Sequence, residues 1–136
     1  MTSPALRARY LSDAVTTASP AQLLVMLYDR LALDLDRAEA ALRAGDRPGA
    51  SDQLMHAQDI LIELRTTLDT SAWTGASGLA QLYGYLIVEL ISANVKGDPD
   101  KVTACRTLVE PLRDAWRTAA AAVAAGAPEP AVLRAG

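Results

Sequence analysis

The sequence predicts an all-α fold, an antiparallel up-down four-helix bundle with a short additional N-terminal helix or arm. Three observations carry that expectation. Apolar residues recur at three- and four-residue steps through four long segments. Serine, aspartate, proline and glycine punctuate the gaps between them. The apolar content is Leu, Val, Ile and Ala with no Phe, and aromatics make up only 4%. Ala and Leu are strong helix formers.

The first long helix opens at Ser19-Pro20-Ala21-Gln22. Ser19 can cap, Pro20 suits the first helical position, and Gln22 can reach back to complete a capping box. Leu23, Leu24, Leu27, Leu31, Leu35, Ala38 and Leu42 form its stripe. Asp34, Asp36, Arg37, Glu39 and Arg43 are expected mainly on the other side. Gly45 ends the helix, as glycine does beyond a C-terminus.

Asp46-Arg47-Pro48 starts the second helix, which carries Leu54, Ala57, Ile60, Leu61, Leu64 and Leu68. Residues 70–78 hold two glycines, four hydroxyl residues and Trp73, and read as a loop. The third helix is expected from Ser77 or Gly78 to Lys96. Leu79, Leu82, Leu86, Leu90 and Ala93 make one stripe, and Tyr85, Val88, Ile91 and Val95 make a second beside it. So wide an apolar surface calls for two neighbours, or for one neighbour and a ligand. Gly97 closes this helix, and Asp98-Pro99 opens the fourth, with Val102, Cys105, Val109, Leu112, Trp116, Ala119 and Val123 at helical steps. Ala127-Pro128 breaks it. Connections this short make successive helices antiparallel.

The 136 residues amount to one domain. Residues 19–125 are expected to form the bundle, 1–18 a mobile segment outside it, and 126–136 a loose tail. Acids outnumber bases 16 to 13, for a net charge of −3. The basic surplus of a dedicated nucleic-acid binder is missing. A single cysteine, Cys105, excludes an internal disulfide and a multi-cysteine zinc site. No secretory signal and no run of 18 apolar residues is seen, so a cytoplasmic protein without membrane insertion is expected.

The residues offer little for catalysis. His56 is the only histidine, and a histidine phosphotransfer bundle is the functional reading of it. Such a module carries Lys three residues on and then Gly; here Asp59 and Ile60 stand there, and a carboxylate repels an incoming phosphoryl group. No Glu-x-x-His pair marks a di-iron bundle, and no glycine-rich loop marks a phosphate site. Cys105 lies on an apolar stripe and reads as a buried small hydrophobe. The expectation is a non-enzyme without metal or cofactor. What remains is surface: Tyr28, Tyr83 and Tyr85 are the amphipathic residues that binding surfaces favour. The residues alone lead to a bundle that binds an apolar or helical partner, or one that dimerises through its wide apolar helix.

A further pattern narrows the choice. Tyr10, then Val15-Thr16-Thr17-Ala18-Ser19-Pro20, Gln22-Leu23-Leu24 and Met26-Leu27-Tyr28-Asp29 resemble the opening of the flagellar secretion chaperone family, FliS. Ala57-Gln58-Asp59-Ile60, Leu82-Tyr83-Gly84-Tyr85-Leu86, Ala93-Asn94 and Leu112-Arg113-x-Ala115-Trp116 are similar to its later signatures, in the same order. The resemblance spans about residues 10–116. It implies a cytosolic export chaperone of the flagellar type III secretion pathway that binds the C-terminal segment of new flagellin, one to one, and prevents premature polymerisation. It leaves room for other flagellar export or regulatory partners. By the same resemblance Leu6, Tyr10 and Leu11 belong to a segment lying over part of the flagellin-binding surface, and Tyr28, Asp29, Tyr83, Tyr85, Leu86 and Asn94 are candidate groove residues. The chain departs from the family pattern at Arg30 and Gly84, and in the loop around Trp73.

Overall fold

The computed structural model describes residues 19–130. It contains four helices: α1 (Pro20–Arg43), α2 (Arg47–Thr67), α3 (Ala76–Lys96) and α4 (Pro99–Ala124). The expected N-terminal helix or arm at 1–18, and residues 131–136 of the tail, lie outside the described residues.

Local chemistry sets the helix ends. At α1 the capping box is complete: Ser19 Oγ accepts from the Gln22 N–H at 3.1 Å, and Gln22 Oε1 accepts from the Ser19 N–H at 3.0 Å. Asp46 caps α2 by accepting from the Gly49 N–H at 3.0 Å, and Asp98 caps α4 by accepting from the Asp100 N–H at 3.0 Å. Gly45 and Gly97 take φ of +78° and +63°, the left-handed backbone that lets one helix stop and the next begin at once. α3 begins at Ala76, slightly before the expected Ser77 or Gly78, and Gly75 gives it no side-chain cap. In the preceding loop the Asp69 carboxylate accepts from the Ser71 hydroxyl at 2.6 Å and its N–H at 2.9 Å, which holds that carboxyl below its usual range.

α1 and α3 each pack between α2 and α4, so the four helices close a ring. Contacts across α2 and α3 show the antiparallel register: Ser51 meets Asn94, while Arg65 meets Gly84. The core runs through the ring as leucine and alanine layers, including Leu31, Leu35, Leu54, Leu61, Leu64, Leu86 and Leu90. Each such leucine contributes roughly 1.5–3 kcal/mol on burial. α4 stays helical through Pro111, a residue the periodicity did not weigh. A proline there forfeits one backbone hydrogen bond, and burial of Val109 before it and Trp116 after it holds both halves in place.

One expectation needs correction. Asp34, expected on the polar side of α1, is fully buried at 0% exposure. Its place between Leu31 and Leu35 puts it in phase with the core, whatever its charge. In addition, α3 is long and apolar enough by composition to cross a membrane, although no run of 18 apolar residues marks it; a third of that stretch is buried inside the bundle.

Candidate functional site

Among the described residues, an apolar stripe stays open on the outer side of α3. Tyr85, Val88, Ile91 and Val95 follow one another at helical steps and are 54%, 63%, 47% and 76% exposed. This is the second stripe seen in the sequence, and no described element covers it. α2 extends the surface. Asn94 Nδ2 donates to Ser51 Oγ at 3.2 Å, and the Arg47 guanidinium donates to the carbonyls of Asn94 and Val95 at 2.9 and 3.2 Å. Exposed Met55 and Ile62 lie on α2 beside Ser51 and Arg65, the residues that reach α3. On the far side, Lys101 of α4 pairs with Glu89 at 3.2 Å, and exposed Leu108 lies two turns beyond Lys101 on the same face. The result is an exposed apolar surface along α2 and α3, with the shallow trough that two packed helices leave between them.

The sequence-predicted residues divide over this surface. Tyr85 lies on it. Asn94 ties α3 to α2 at its edge through Ser51. Tyr28, Tyr83 and Leu86, expected in the groove, are 0%, 2% and 1% exposed, so they are core residues in this conformation. The Tyr28 and Tyr83 hydroxyls bond each other at 2.6 Å, and Trp116 meets Tyr28 edge-on at a centroid distance of 6.0 Å. Burial raises the pKa of both phenols above the ordinary tyrosine value. Asp29 lies on the opposite seam, where Arg117 of α4 donates to it at 2.6 Å. Leu6, Tyr10 and Leu11 lie outside the described residues. Val88, Ile91, Val95, Met55 and Ile62 were not among the predicted site residues. Their signal was an apolar stripe one step out of phase with the core.

The departures at Arg30 and Gly84 have local explanations. Arg30 Nε donates to the buried Asp34 carboxylate at 2.9 Å, and His56 Nδ1 contacts its other oxygen from α2. Arg30 therefore neutralises a buried charge and does not face the trough. His56 is engaged in the same seam, with Asp34 beside it and no cation in Lys position. Gly84 sits under the Arg65 guanidinium of α2; a Cβ there would lie 3.4 Å from it, an ordinary contact.

Charge is distributed unevenly. Along α1 and α4 it is neutralised in pairs: Arg106 bridges Glu39 at 2.9 Å, Glu110 at 3.1 Å and Asp36 at 3.4 Å. Thr103 donates to Glu39 at 2.8 Å, and this bond, with those from Arg43 and Arg106, holds the Glu39 carboxyl below its usual range. A cleft on this side is lined by Asp29, Asp36, Arg106, Glu110 and Arg113, whose charges offset one another. Cys105 is buried, and desolvation pushes its thiol up to about 11. No cluster fit to hold a metal occurs among the described residues.

Comparison with known proteins identifies the bundle. The family model described as "Flagellar protein FliS" matches residues 2–123. The chain belongs to the FliS family. It is 32% identical over 110 residues to the flagellar secretion chaperone FliS of Bacillus subtilis (strain 168), covering 81% of this chain and 82% of the relative. The flagellar secretion chaperone FliS of Salmonella typhimurium is 33% identical over 107 residues, covering 77% and 79% of the two chains. That of Escherichia coli (strain K12) is 31% identical over 107 residues, with the same coverage. FliS proteins are secretion chaperones, not enzymes, which sets aside the phosphotransfer reading of His56.

Proposed function

We propose that this FliS-family protein holds the C-terminal segment of newly made flagellin in the cytosol, one to one, and so prevents its polymerisation before export. The open α3 stripe is the observation that carries this reading. A contiguous apolar face that the described helices leave uncovered marks a recognition surface. A segment that is disordered when free and folds on binding can cover such a face at modest affinity. Apolar side chains of the tail that would pack in the filament are then buried against Val88, Ile91, Val95, Met55 and Ile62 instead.

The mechanism is masking, so it needs no cofactor and no covalent step. Its test is twofold. Titration calorimetry of the full chain with the last forty or so residues of flagellin from the same cell should give one-to-one binding with a negative heat-capacity change. Added chaperone should also delay flagellin polymerisation followed by light scattering. Absence of binding by folded protein would overturn the reading.

A further inference from the structure

Arg47 and Arg65 cross the α2–α3 seam of the trough, and its outer edge on α2 is acidic. Asp52, Asp59 and Glu63 are exposed on α2, and none of them makes an ion pair among the described residues. Their position on the helix is fixed from both sides. Ser51 and Arg65 reach toward α3, while His56 reaches α1. Met55 and Ile62 lie next to the α3 side, and the three carboxylates follow between them and His56. The row therefore runs parallel to the apolar stripe, along its outer border. Other surface acids that face a neighbouring helix are paired: Asp29, Asp36, Glu39, Glu89, Asp100 and Glu110 all meet a cation within 4 Å.

We propose that the α2–α3 trough recognises an amphipathic segment whose apolar stripe is bordered on one side by lysine or arginine, with that cationic border lying along Asp52, Asp59 and Glu63. This deepens the tail-binding reading and rests on it. The three carboxylates choose the occupant. An anionic lipid surface would be repelled by them, although α3 is apolar enough to suggest one. A second copy of this chain, itself at net charge −3, would bring the same unpaired row with it. A basic-edged segment buries its apolar side chains in the trough and satisfies the row at the rim, where charges set specificity and encounter rate more than total affinity.

The experiment is calorimetry of the full-length protein with the flagellin tail peptide in low and high sodium chloride. Three proteins are compared: wild type, the triple variant Asp52→Asn, Asp59→Asn, Glu63→Gln, and Val88→Asp. Exposed ion pairs contribute modestly and are screened by salt, so the triple variant should bind on the order of tenfold more weakly at low salt. It should also lose most of the salt dependence that wild type shows. A tail peptide with its Lys and Arg changed to Gln should reproduce both effects on wild type. If the triple variant keeps wild-type affinity and salt slope while Val88→Asp loses binding, the cationic border is refuted and tail binding at the trough stands. If Val88→Asp binds as wild type does, the trough itself is refuted. Sedimentation of wild type alone should give a monomer; a dimer that Val88→Asp dissociates would make a second copy the occupant and overturn the proposal.

Discussion

α1 and α3 stand in equivalent places, each flanked by α2 and α4, yet they use their sequences differently. α1 buries nine of its 24 residues and packs extensively on both neighbours. α3 is the more apolar helix but buries only five of 21. Burial alone would put the most apolar helix deepest. The difference teaches that α3 carries more apolar surface than the fold uses. In α1 even a carboxylate, Asp34, is drawn inside, while in α3 valines and isoleucine stay outside. The first helix spends its apolar residues on the core, and the third keeps a stripe of them outside it.

That contrast can be broken residue by residue. Leu86 and Val88 are two positions apart on α3, pointing in opposite directions, 1% and 63% exposed. Leu86→Ala is expected to cost about 2–5 kcal/mol of stability by leaving a cavity. Val88→Asp is expected to change stability by no more than ~0.5 kcal/mol. Urea denaturation of both variants checks the pair; equal losses would mean that the outer stripe is part of the core.

The buried charge of α1 gives a second, smaller effect with a definite asymmetry. Arg30 and His56 are about half exposed, whereas Asp34 is not exposed at all. Removing Asp34 leaves the Arg30 guanidinium and the His56 ring, both of which water can reach. Removing Arg30 leaves a buried carboxylate short of a partner, which costs roughly 1–3 kcal/mol. Arg30→Met should therefore destabilise more than Asp34→Asn in thermal melts. The reverse order would show that the carboxylate is not held by Arg30.

Two smaller predictions sharpen the comparison. Gly84 lies inside α3, and a Cβ there meets only the Arg65 guanidinium at ordinary contact distance. Gly84→Ala should stabilise by about 0.5–1 kcal/mol, through the lower entropy of the unfolded chain. A loss of stability would mean that Arg65 cannot give way. On the α1–α4 seam, the Glu39 carboxyl lies below its ordinary value of 4.5, mainly through the Thr103 hydrogen bond. A depressed carboxyl contributes stability above its unfolded pKa and loses it as pH falls through the folded one. Wild type should thus lose stability below about pH 4.5, and Glu39→Gln should show a shallower decline.

The bundle was legible because its punctuation is local. Ser19-Pro20, Gly45-Asp46 and Gly97-Asp98 each stop or start a helix by themselves, and three- and four-residue steps mark the core between them. The site was less legible. Tyr83 and Tyr85 are two residues apart, so helical geometry turns them away from each other, but only packing against Tyr28 decides which one goes inside. Met55 and Ile62 were hidden for a similar reason: each follows a buried leucine, Leu54 and Leu61, and the core stripe absorbs the eye. Asp34 was misplaced because its charge was weighed above its phase.

The central claim is that the α3 face, not the α1 face, receives the flagellin tail. Two double variants test it most directly: Val88→Asp with Ile91→Asp on α3, and Met26→Asp with Leu33→Asp on α1, all four positions being exposed. Tail affinity is measured by calorimetry on each folded protein. The account predicts that the α3 variant loses binding by at least about 100-fold, as burying unpaired carboxylates requires, while the α1 variant binds as wild type does. Undiminished binding by the α3 variant would contradict it.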